Sequence, residues 1–191
     1  MQECRLIASD LACRRGDRVL FRGLALTLGP GSAVQVTGAN GLGKSSLIRI
    51  LAGLLPAFAG TVERAGAVGL VDERPALDPQ QPLGRALDFW ARIDGAGAVP
   101  SELGLEPLLE VPVRYLSTGQ KKRAALARLA GQAAPIWLLD EPLNGLDTSA
   151  TAFVQDMAAA HVAAGGIAVI ASHQPFALPG MARIDLAEYR A

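Results

Sequence analysis

Short apolar runs alternate with polar and glycine-rich segments along most of the chain. The clearest runs are Ala33–Thr37, Ile136–Leu139 and Ile167–Ala171. A run of four or five apolar residues is too short for a free-standing helix and is typical of a strand buried on both faces. Helix-like patterns follow at Ser46–Ala52 and Thr148–Ala164. The pattern predicts an α/β protein with a mainly parallel sheet.

Other segments carry weaker patterns. Strand-like patterns occur at Arg5–Ala12, Val19–Leu28 and Thr61–Val71, and Gly-Asp and Gly-Pro-Gly turns interrupt this part of the chain. Residues 72–115 are punctuated by proline and glycine and contain one good helical pattern, near Leu83–Ile93. No internal repeat is visible, and the length of 191 residues predicts one domain with a real core.

The first chemical motif lies between the strand Ala33–Thr37 and the following helix, and it matches G-x-x-x-x-G-K-[ST]. The motif and the residue after it are Gly38, Ala39, Asn40, Gly41, Leu42, Gly43, Lys44, Ser45 and Ser46. Its glycines let backbone N–H groups turn toward one point, and the helix N-terminus adds about half a positive charge there. We expect Lys44 to reach the β- and γ-phosphates of ATP, and the Ser45 hydroxyl to bind Mg²⁺. The alternative is a glycine-rich turn without a ligand, which the strand–loop–helix context disfavours.

A second motif, Asp140-Glu141, follows the strand Ile136–Leu139. It therefore emerges at a carboxyl strand end, where open α/β sheets bind their ligands. Asp140 is the expected partner of Mg²⁺, and Glu141 is the candidate base that orients the attacking water. An acidic pair at a strand end is as often a helix cap, but its combination with the phosphate loop favours the catalytic interpretation.

A histidine completes this set. His173 follows the apolar run Ile167–Ala171 and Ser172, so it lies at the tip of a neighbouring strand and can face the γ-phosphate. A single histidine is more often structural, but a Ser-His pair at a strand end favours the functional interpretation.

A third motif, LSTGQKKR, begins at Leu116. Ser117 and Gln120 have the spacing of a capping box, which predicts a helix to about Ala130 with Gly131 as its stop. A well-capped basic helix without further function is the simple alternative for this segment.

Composition and charge exclude several classes of protein. Hydrophobic residues make up 50% of the chain and charged residues 19%, which is typical of a globular protein. Lysine plus arginine and aspartate plus glutamate balance at 18 each, so no basic surface for nucleic acid is expected. The basic stretch Arg114–Arg128 is explained more simply as a helix face beside an ATP site. Cys4 and Cys13 have no CxxC spacing and are expected to be small buried residues in a reducing compartment.

The amino terminus carries charges at once, which argues against a signal peptide. The uncharged, largely apolar stretch Ile50–Val62 is interrupted by Gly and Pro and is shorter than the ~20 residues of a membrane span. We expect a protein that does not itself cross a membrane.

Together, the phosphate loop, the LSTGQ segment, the Asp-Glu pair and His173 resemble the ATP-binding cassette (ABC) family over nearly the whole chain. The resemblance implies a P-loop ATPase fold: a mainly parallel core sheet with helices, a small antiparallel β layer and a short helical subdomain. It divides one domain, 1–191, into an antiparallel layer plus phosphate-loop core (1–71), a helical subdomain (72–116), and the signature helix with the rest of the core (117–191).

The resemblance also implies a second subunit. In the ABC family the signature loop binds the γ-phosphate held by the partner's phosphate loop, so Ser117, Gly119 and Gln120 are expected to act in trans. Leu143–Asp147 is expected to join the two sites. Two ATP molecules would then lie between two copies of the chain.

Within the family, the segments Leu11–Phe21, Val36–Leu54 and Gly119–Leu129 resemble the ATP-binding subunits of the haem exporters of cytochrome c biogenesis. This implies an ATPase bound peripherally at the cytoplasmic face of the inner membrane, with integral membrane subunits as partners and no nucleic acid.

The chain departs from the family pattern at three places. Arg15 stands where an aromatic residue often stacks on adenine; it is either a guanidinium platform for the base or a solvated turn arginine. Thr118 replaces a small glycine of the signature loop. Glu73, next to Asp72, stands where a glutamine that touches Mg²⁺ and the membrane partner is expected. A carboxylate at Glu73 can still offer the metal an oxygen, but it adds a negative charge beside the triphosphate.

Other functions remain open from the sequence. Another ABC transporter subunit, for lipid or lipoprotein export, is the nearest alternative. A soluble ABC ATPase acting on ribosomes or nucleic acid usually has two cassettes or large insertions. A small-molecule P-loop kinase has no need of the LSTGQ segment.

Overall fold

The computed structural model describes residues 4–95 and 100–190, which contain two β-sheets and four α-helices. The strands are β1 Arg5–Arg15, β2 Arg18–Leu28, β3 Ala33–Thr37, β4 Ala59–Ala65, β5 Val68–Val71, β6 Ile136–Asp140, β7 Ile167–Ala171 and β8 Ala182–Asp185. The helices are α1 Lys44–Ala52, α2 Leu83–Asp94, α3 Thr118–Gly131 and α4 Thr148–Ala163. Short 3₁₀ turns occupy Ser101–Leu103, Glu106–Leu108, Val113–Tyr115 and Leu186–Tyr189.

A five-stranded sheet in the order β5-β6-β7-β3-β8 forms the centre, and all of its neighbouring strands are parallel. Every residue of β3, β6 and β7 is buried, as expected for strands covered on both faces. Alternate side chains of β6 enter two different cores: Ile136 packs toward α1 and the first strands, and Trp137 packs toward α2, α3 and α4. The predicted parallel core is confirmed.

The second sheet is antiparallel and has the order β2-β1-β4. β1 is longer than the predicted strand Arg5–Ala12, because it continues to Arg15 and turns back through Gly16, whose φ is 59°. Arg15 therefore sits at the end of a strand, opposite Arg18.

One predicted strand is wrong in its extent. The segment Thr61–Val71 is two strands of different sheets: β4 belongs to the antiparallel sheet, whereas β5 pairs with β6 in the parallel sheet. The chain changes sheet at Gly66, where φ is 107°. A side chain on Gly69 would overlap with the end of the Leu129 side chain of α3, so the glycine lets the helix pack closely on β5.

The segment between β5 and α3 is built around helix α2. The N–H groups of Leu83 and Gly84 donate to the carbonyl oxygens of Val111 (3.0 Å) and Leu109 (2.8 Å). The Arg128 guanidinium of α3 lies 3.5 Å from the centre of the Trp90 ring, which ties this segment to the core. Part of the predicted helical subdomain, residues 96–99, lies outside the described residues, as do residues 1–3 and 191, and the three-part division of the domain stays a prediction.

Helix ends and cysteines largely follow the sequence. Ser117 and Gln120 form the predicted capping box, with Ser117 Oγ accepting from the Gln120 N–H and Gln120 Oε1 accepting from the Ser117 N–H. Gly131 is the last helical residue of α3 rather than its stop. Cys4 and Cys13 are free and buried. Among the described residues, no helix has the length and apolarity needed to span a membrane.

A histidine is stacked against the core on the α4 side. The His161 ring lies 3.8 Å from the Trp137 ring and within 7° of parallel, with its Nε2 3.3 Å from the Ile167 carbonyl oxygen. A side chain on Gly166 would overlap with the His161 ring, so the glycine leaves the space that the ring occupies. Burial lowers the pKa of His161 from its ordinary value of 6.5, against the opposite effect of two backbone carbonyls.

We predict that His161 makes the protein less stable in mild acid. Because its folded pKa is lowered, the unfolded chain binds more protons once the pH falls below about 6.5, so the free energy of unfolding falls there. His161→Phe keeps the stack and removes this titration. Urea unfolding at pH 7 and pH 5 should show a smaller loss for the variant than for the wild type. Equal losses would contradict the buried position of this ring.

Candidate functional site

The phosphate loop connects β3 to α1. Gly38, Gly41 and Gly43 have φ values of 136°, 83° and 105°, which only glycine adopts without strain. The loop ends at the first turn of α1, whose N–H groups point back toward it. Lys44 is 6% exposed, and its Nζ donates to the carbonyl oxygens of Gly38 (2.8 Å) and Ala39 (3.5 Å). The loop is therefore shaped as an anion-binding nest with its lysine folded against it.

Asp140 is the last residue of β6 and is 3% exposed. Burial raises the pKa of its carboxyl above the ordinary value of 3.8, whereas the neighbouring Ser45 hydroxyl and the Lys122 ammonium lower it. Its Oδ1 atom is buried and has no hydrogen-bond partner within the described ranges. A buried acceptor without a partner is a position where a cation or water belongs.

Glu141 and His173 are in direct contact. His173 Nδ1 lies 2.8 Å from Glu141 Oε2, and the His173 N–H donates to Glu141 Oε1 at 3.3 Å. Glu141 has a φ of 46°, a conformation that is uncommon outside glycine, and its own N–H donates to the Ala171 carbonyl oxygen at 2.8 Å. A left-handed residue at a strand end is a strained feature of the kind that occurs at functional sites.

The phosphate loop, Glu141 and His173 line one cavity of about 570 Å³, whereas Asp140 is buried behind it and is not among the lining residues. The predicted residues that line it are Arg15, Asn40, Gly41, Gly43, Lys44, Ser45, Ser46, Glu73, Glu141 and His173. The cavity therefore joins the phosphate loop, the catalytic candidates and two of the three departures from the family pattern, Arg15 and Glu73. Two further residues line it: Leu20, which was not predicted, and Asn144, from the loop expected to join the two sites.

The signature residues lie elsewhere. Within the described part of the chain, Ser117, Gly119 and Gln120 do not line that cavity. Ser117 and Gln120 cap α3, and Gly119 packs against the backbone of Gly145, where a side chain would overlap with the carbonyl oxygen.

The two acidic residues after β5 have different surroundings. Asp72 forms an ion pair with Arg49 at 3.1 Å and accepts a hydrogen bond from the Arg74 N–H at 2.8 Å. Glu73 lines the cavity and is free of the ion pair. The predicted orientation of Glu73 toward the phosphate site is thus compatible with its place in the fold.

Lys122 is the functional candidate that the sequence did not single out. It lies on α3 and is 6% exposed, and its Nζ donates to the carbonyl oxygens of Asp140 (3.0 Å) and Asp72 (3.5 Å). Burial lowers its pKa from 10.5, while the nearby carboxylates raise it. In the sequence it is one of several basic residues on a helix face expected to lie beside an ATP site, and no signal in the sequence distinguishes it from its neighbours.

Across residues 4–95 and 100–190, no group of three or more His, Cys, Asp or Glu side chains is arranged to hold a metal. The residues present therefore fit a magnesium ion that takes only part of its ligands from the protein and the rest from a bound phosphate and water. Ser45 and Asp140 are adjacent, and both offer the hard oxygen ligands that Mg²⁺ prefers. Asp140 Oδ1 is available for this purpose.

Comparisons with known proteins agree with this geometry. A family model described as "ABC transporter" matches residues 21–144. The chain is similar in fold to a putative ABC transporter ATP-binding protein from Pyrococcus furiosus, with a TM-score of 0.76, 21% identity, and coverage of 98% of this chain and 100% of that one. It is also similar to a dimeric ATP-binding cassette bound to ADP and Pi (TM-score 0.74, 19% identity, 88% of each chain).

Curated relatives are much more similar in sequence. The cytochrome c biogenesis ATP-binding export protein CcmA of Novosphingobium aromaticivorans is 65% identical over 178 residues, which cover 93% of each chain. The protein of the same name from Zymomonas mobilis is 46% identical over 190 residues, covering 97% of this chain and 82% of that one. The predicted fold and the prediction of an ABC-type ATPase are confirmed. The chain belongs to the ABC transporter family, among its cytochrome c biogenesis ATP-binding export proteins.

Proposed function

We propose that this chain is the ATP-hydrolysing subunit of a membrane complex that exports haem, or releases a haem-loaded chaperone, for the maturation of c-type cytochromes. The names of its relatives support the pathway. The observation that carries the catalytic part is the 2.8 Å contact between Glu141 and His173 at the phosphate-loop cavity.

The phosphate loop binds the triphosphate through its backbone N–H groups, because residues 38–46 point them toward one place at the helix N-terminus. Lys44 exchanges its contacts with the carbonyl oxygens of Gly38 and Ala39 for phosphate oxygens. The other loop residues, among them Asn40, Leu42 and Ser46, hold the loop in position. Arg15, at the end of β1 and in the same cavity, lays its planar guanidinium on the purine.

The metal is Mg²⁺, held by the Ser45 hydroxyl and the Asp140 carboxylate, with Glu73 as a further oxygen ligand. When bound, it neutralises phosphate charge that builds up during hydrolysis. Asp140 supports this because its Oδ1 is buried without a partner among the described residues.

Glu141 is the general base. Its carboxylate lines the cavity and is held by both the ring and the backbone N–H of His173, so it has a fixed orientation toward the phosphate end. It takes a proton from the attacking water, and His173 keeps the carboxylate in place and faces the γ-phosphate. A positioned base of this kind contributes about 10²–10⁴-fold to a rate.

A second copy of the chain completes each site. Ser117, Gly119 and Gln120 lie away from the cavity of their own chain, which supports a role at the ATP of the partner. The loop Leu143–Asp147 connects the two sites, since Gly145 contacts Gly119 and Asn144 lines the cavity.

Integral membrane subunits are the further partners, and the chain is bound peripherally at the cytoplasmic face of the cell membrane. Helix α2 supports a protein contact because Phe89 and Ile93 are each 58% exposed. Nucleic acid is not a partner, in keeping with the balanced charge of the whole sequence.

We predict that Glu141→Gln binds ATP but loses hydrolysis by at least about a hundredfold, because an amide keeps the shape and cannot accept the proton. With Mg-ATP, light scattering should show a shift from monomer to dimer. A second change, Ser117→Arg, should cancel that shift by adding bulk at the partner's γ-phosphate. Hydrolysis at the wild-type rate would mean that Glu141 is not the base.

In cells, the same Glu141→Gln variant should prevent the maturation of c-type cytochromes. Haem that stays on a protein in a denaturing gel is covalently attached, so haem staining of such gels measures c-type cytochromes. Non-covalent b-type haem, measured in spectra of intact membranes, is the control and should be unchanged. Normal c-type cytochromes beside an inactive ATPase would contradict the proposed pathway but not the ATPase assignment.

We predict that Glu73→Gln tightens the binding of Mg-ATP or promotes dimer formation. A carboxylate beside the triphosphate repels it, and each 1.4 kcal/mol of repulsion corresponds to about tenfold in affinity. The same change should alter hydrolysis stimulated by the membrane partner. Glu106→Gln, which removes an exposed charge on a 3₁₀ turn, is the matched control. If Glu73→Gln behaves like that control in affinity, dimerisation and stimulation, Glu73 faces solvent.

A further inference from the structure

One buried cation lies behind the acidic side of the phosphate site. Lys122 projects from the second turn of α3 and is 6% exposed. A lysine is seldom buried to this extent without anionic or polar partners, because desolvation of the ammonium is costly. Its partners are two backbone carbonyls, those of Asp140 and Asp72, at 3.0 and 3.5 Å.

The position of those two carbonyls in the chain is informative. The carbonyl of Asp72 belongs to the peptide bond that leads into Glu73, and the carbonyl of Asp140 belongs to the peptide bond that leads into Glu141. Lys122 therefore fixes the backbone immediately before each of the two acids that line the cavity. It also connects the ends of two neighbouring strands, β5 and β6.

The charge of Lys122 acts on the same groups. The carboxylates of Asp140, Asp72, Glu73 and Glu141 all lie within Coulombic range of its ammonium. Asp72 is already paired with Arg49, so the other three acids remain to be balanced on this side of the site. Lys44 is on the opposite side, bonded to the carbonyls of the phosphate loop.

We propose that Lys122 is a positioning residue that offsets the negative charge of Glu73, Asp140 and Glu141 and holds the backbone of the two cavity acids, so that the site accepts an anionic triphosphate. This inference rests on the proposed ATPase function of the cavity and concerns how its charge is balanced.

The proposal predicts two effects of opposite sign when the charge is removed. Without the ammonium the site is more negative, so it binds a metal-free nucleotide more weakly. The same negative charge attracts a divalent cation, so the metal binds more tightly once the nucleotide is present. A residue that only supported the fold would weaken both when removed, because the ligands would lose their positions.

The test compares Lys122→Gln with Lys121→Gln. The glutamine keeps a donor for one carbonyl and removes the charge, and Lys121, the neighbour on α3, has its Nζ 3.5 Å from the Arg114 carbonyl oxygen, away from the site. Affinity for the non-hydrolysable analogue AMP-PNP is measured by calorimetry in EDTA, and Mn²⁺ affinity by electron paramagnetic resonance at saturating AMP-PNP.

For Lys122→Gln we expect AMP-PNP to bind about fivefold to tenfold more weakly in EDTA and Mn²⁺ to bind more tightly by a similar factor, as expected for one charge a few ångströms from the ligand. Lys121→Gln should change either affinity by less than about twofold. The double variant Lys122→Gln/Glu73→Gln should recover much of the AMP-PNP affinity, because it removes one charge of each sign.

Two results would overturn the proposal: a parallel loss of both affinities, which indicates a purely structural lysine, or values equal to those of Lys121→Gln. If Lys122→Gln does not fold, far-UV circular dichroism of the double variant decides. Folding restored by Glu73→Gln supports charge balance, and failure of both contradicts it. A wild-type protein that binds no AMP-PNP in either condition would instead overturn the proposed function, and this inference with it.

Discussion

Complete burial of the central strands is the constraint on which the rest of the structure depends. Because β3, β6 and β7 are covered on both faces, a charged side chain inside them would have to be desolvated. The ionisable groups therefore occur where the strands end. Parallel strands end on the same side of the sheet, so Gly38, Asp140 and Ser172 are brought together although they are far apart in the sequence.

Buried charged groups at the carboxyl edge of the sheet need partners of opposite charge or hydrogen-bonding groups. The phosphate loop supplies backbone dipoles and one lysine, Lys44, whose ammonium donates to carbonyl oxygens of the loop. The anion-binding shape of the loop is therefore held by contacts within the chain itself. The acidic side is served by a second lysine on a different helix. The two lysines have different partners. Lys44 contacts carbonyl oxygens of its own loop and can exchange them for a ligand, whereas Lys122 hydrogen-bonds carbonyl oxygens at the ends of β5 and β6 and so holds the two strands together.

Much of this could be predicted from the sequence, for physical reasons. The spacing of the phosphate loop fixes a backbone shape, and the capping box fixes where α3 begins, so both are local properties of a few residues.

Other features could not be predicted because they are not local. The change of sheet within Thr61–Val71 is one of them, since a strand pattern does not say which neighbouring strand it pairs with, and Gly66 alone does not reveal it. Lys122 was missed for a similar reason, because the basic stretch was interpreted as one helix face beside an ATP site, and which of its residues turns inward depends on where α3 packs. Glu141 and His173 were each expected at the γ-phosphate, but neither their direct contact nor the left-handed backbone of Glu141 leaves a mark in the sequence.

The close approach of Gly119 and Gly145 has a consequence for how this protein can vary. At this point the start of α3 and the loop Leu143–Asp147 meet through backbone atoms, and a Cβ on Gly119 would overlap with the Gly145 carbonyl oxygen. Any residue larger than glycine at position 119 would therefore have to move one of the two backbone segments, since no side-chain rotation relieves an overlap with a carbonyl oxygen.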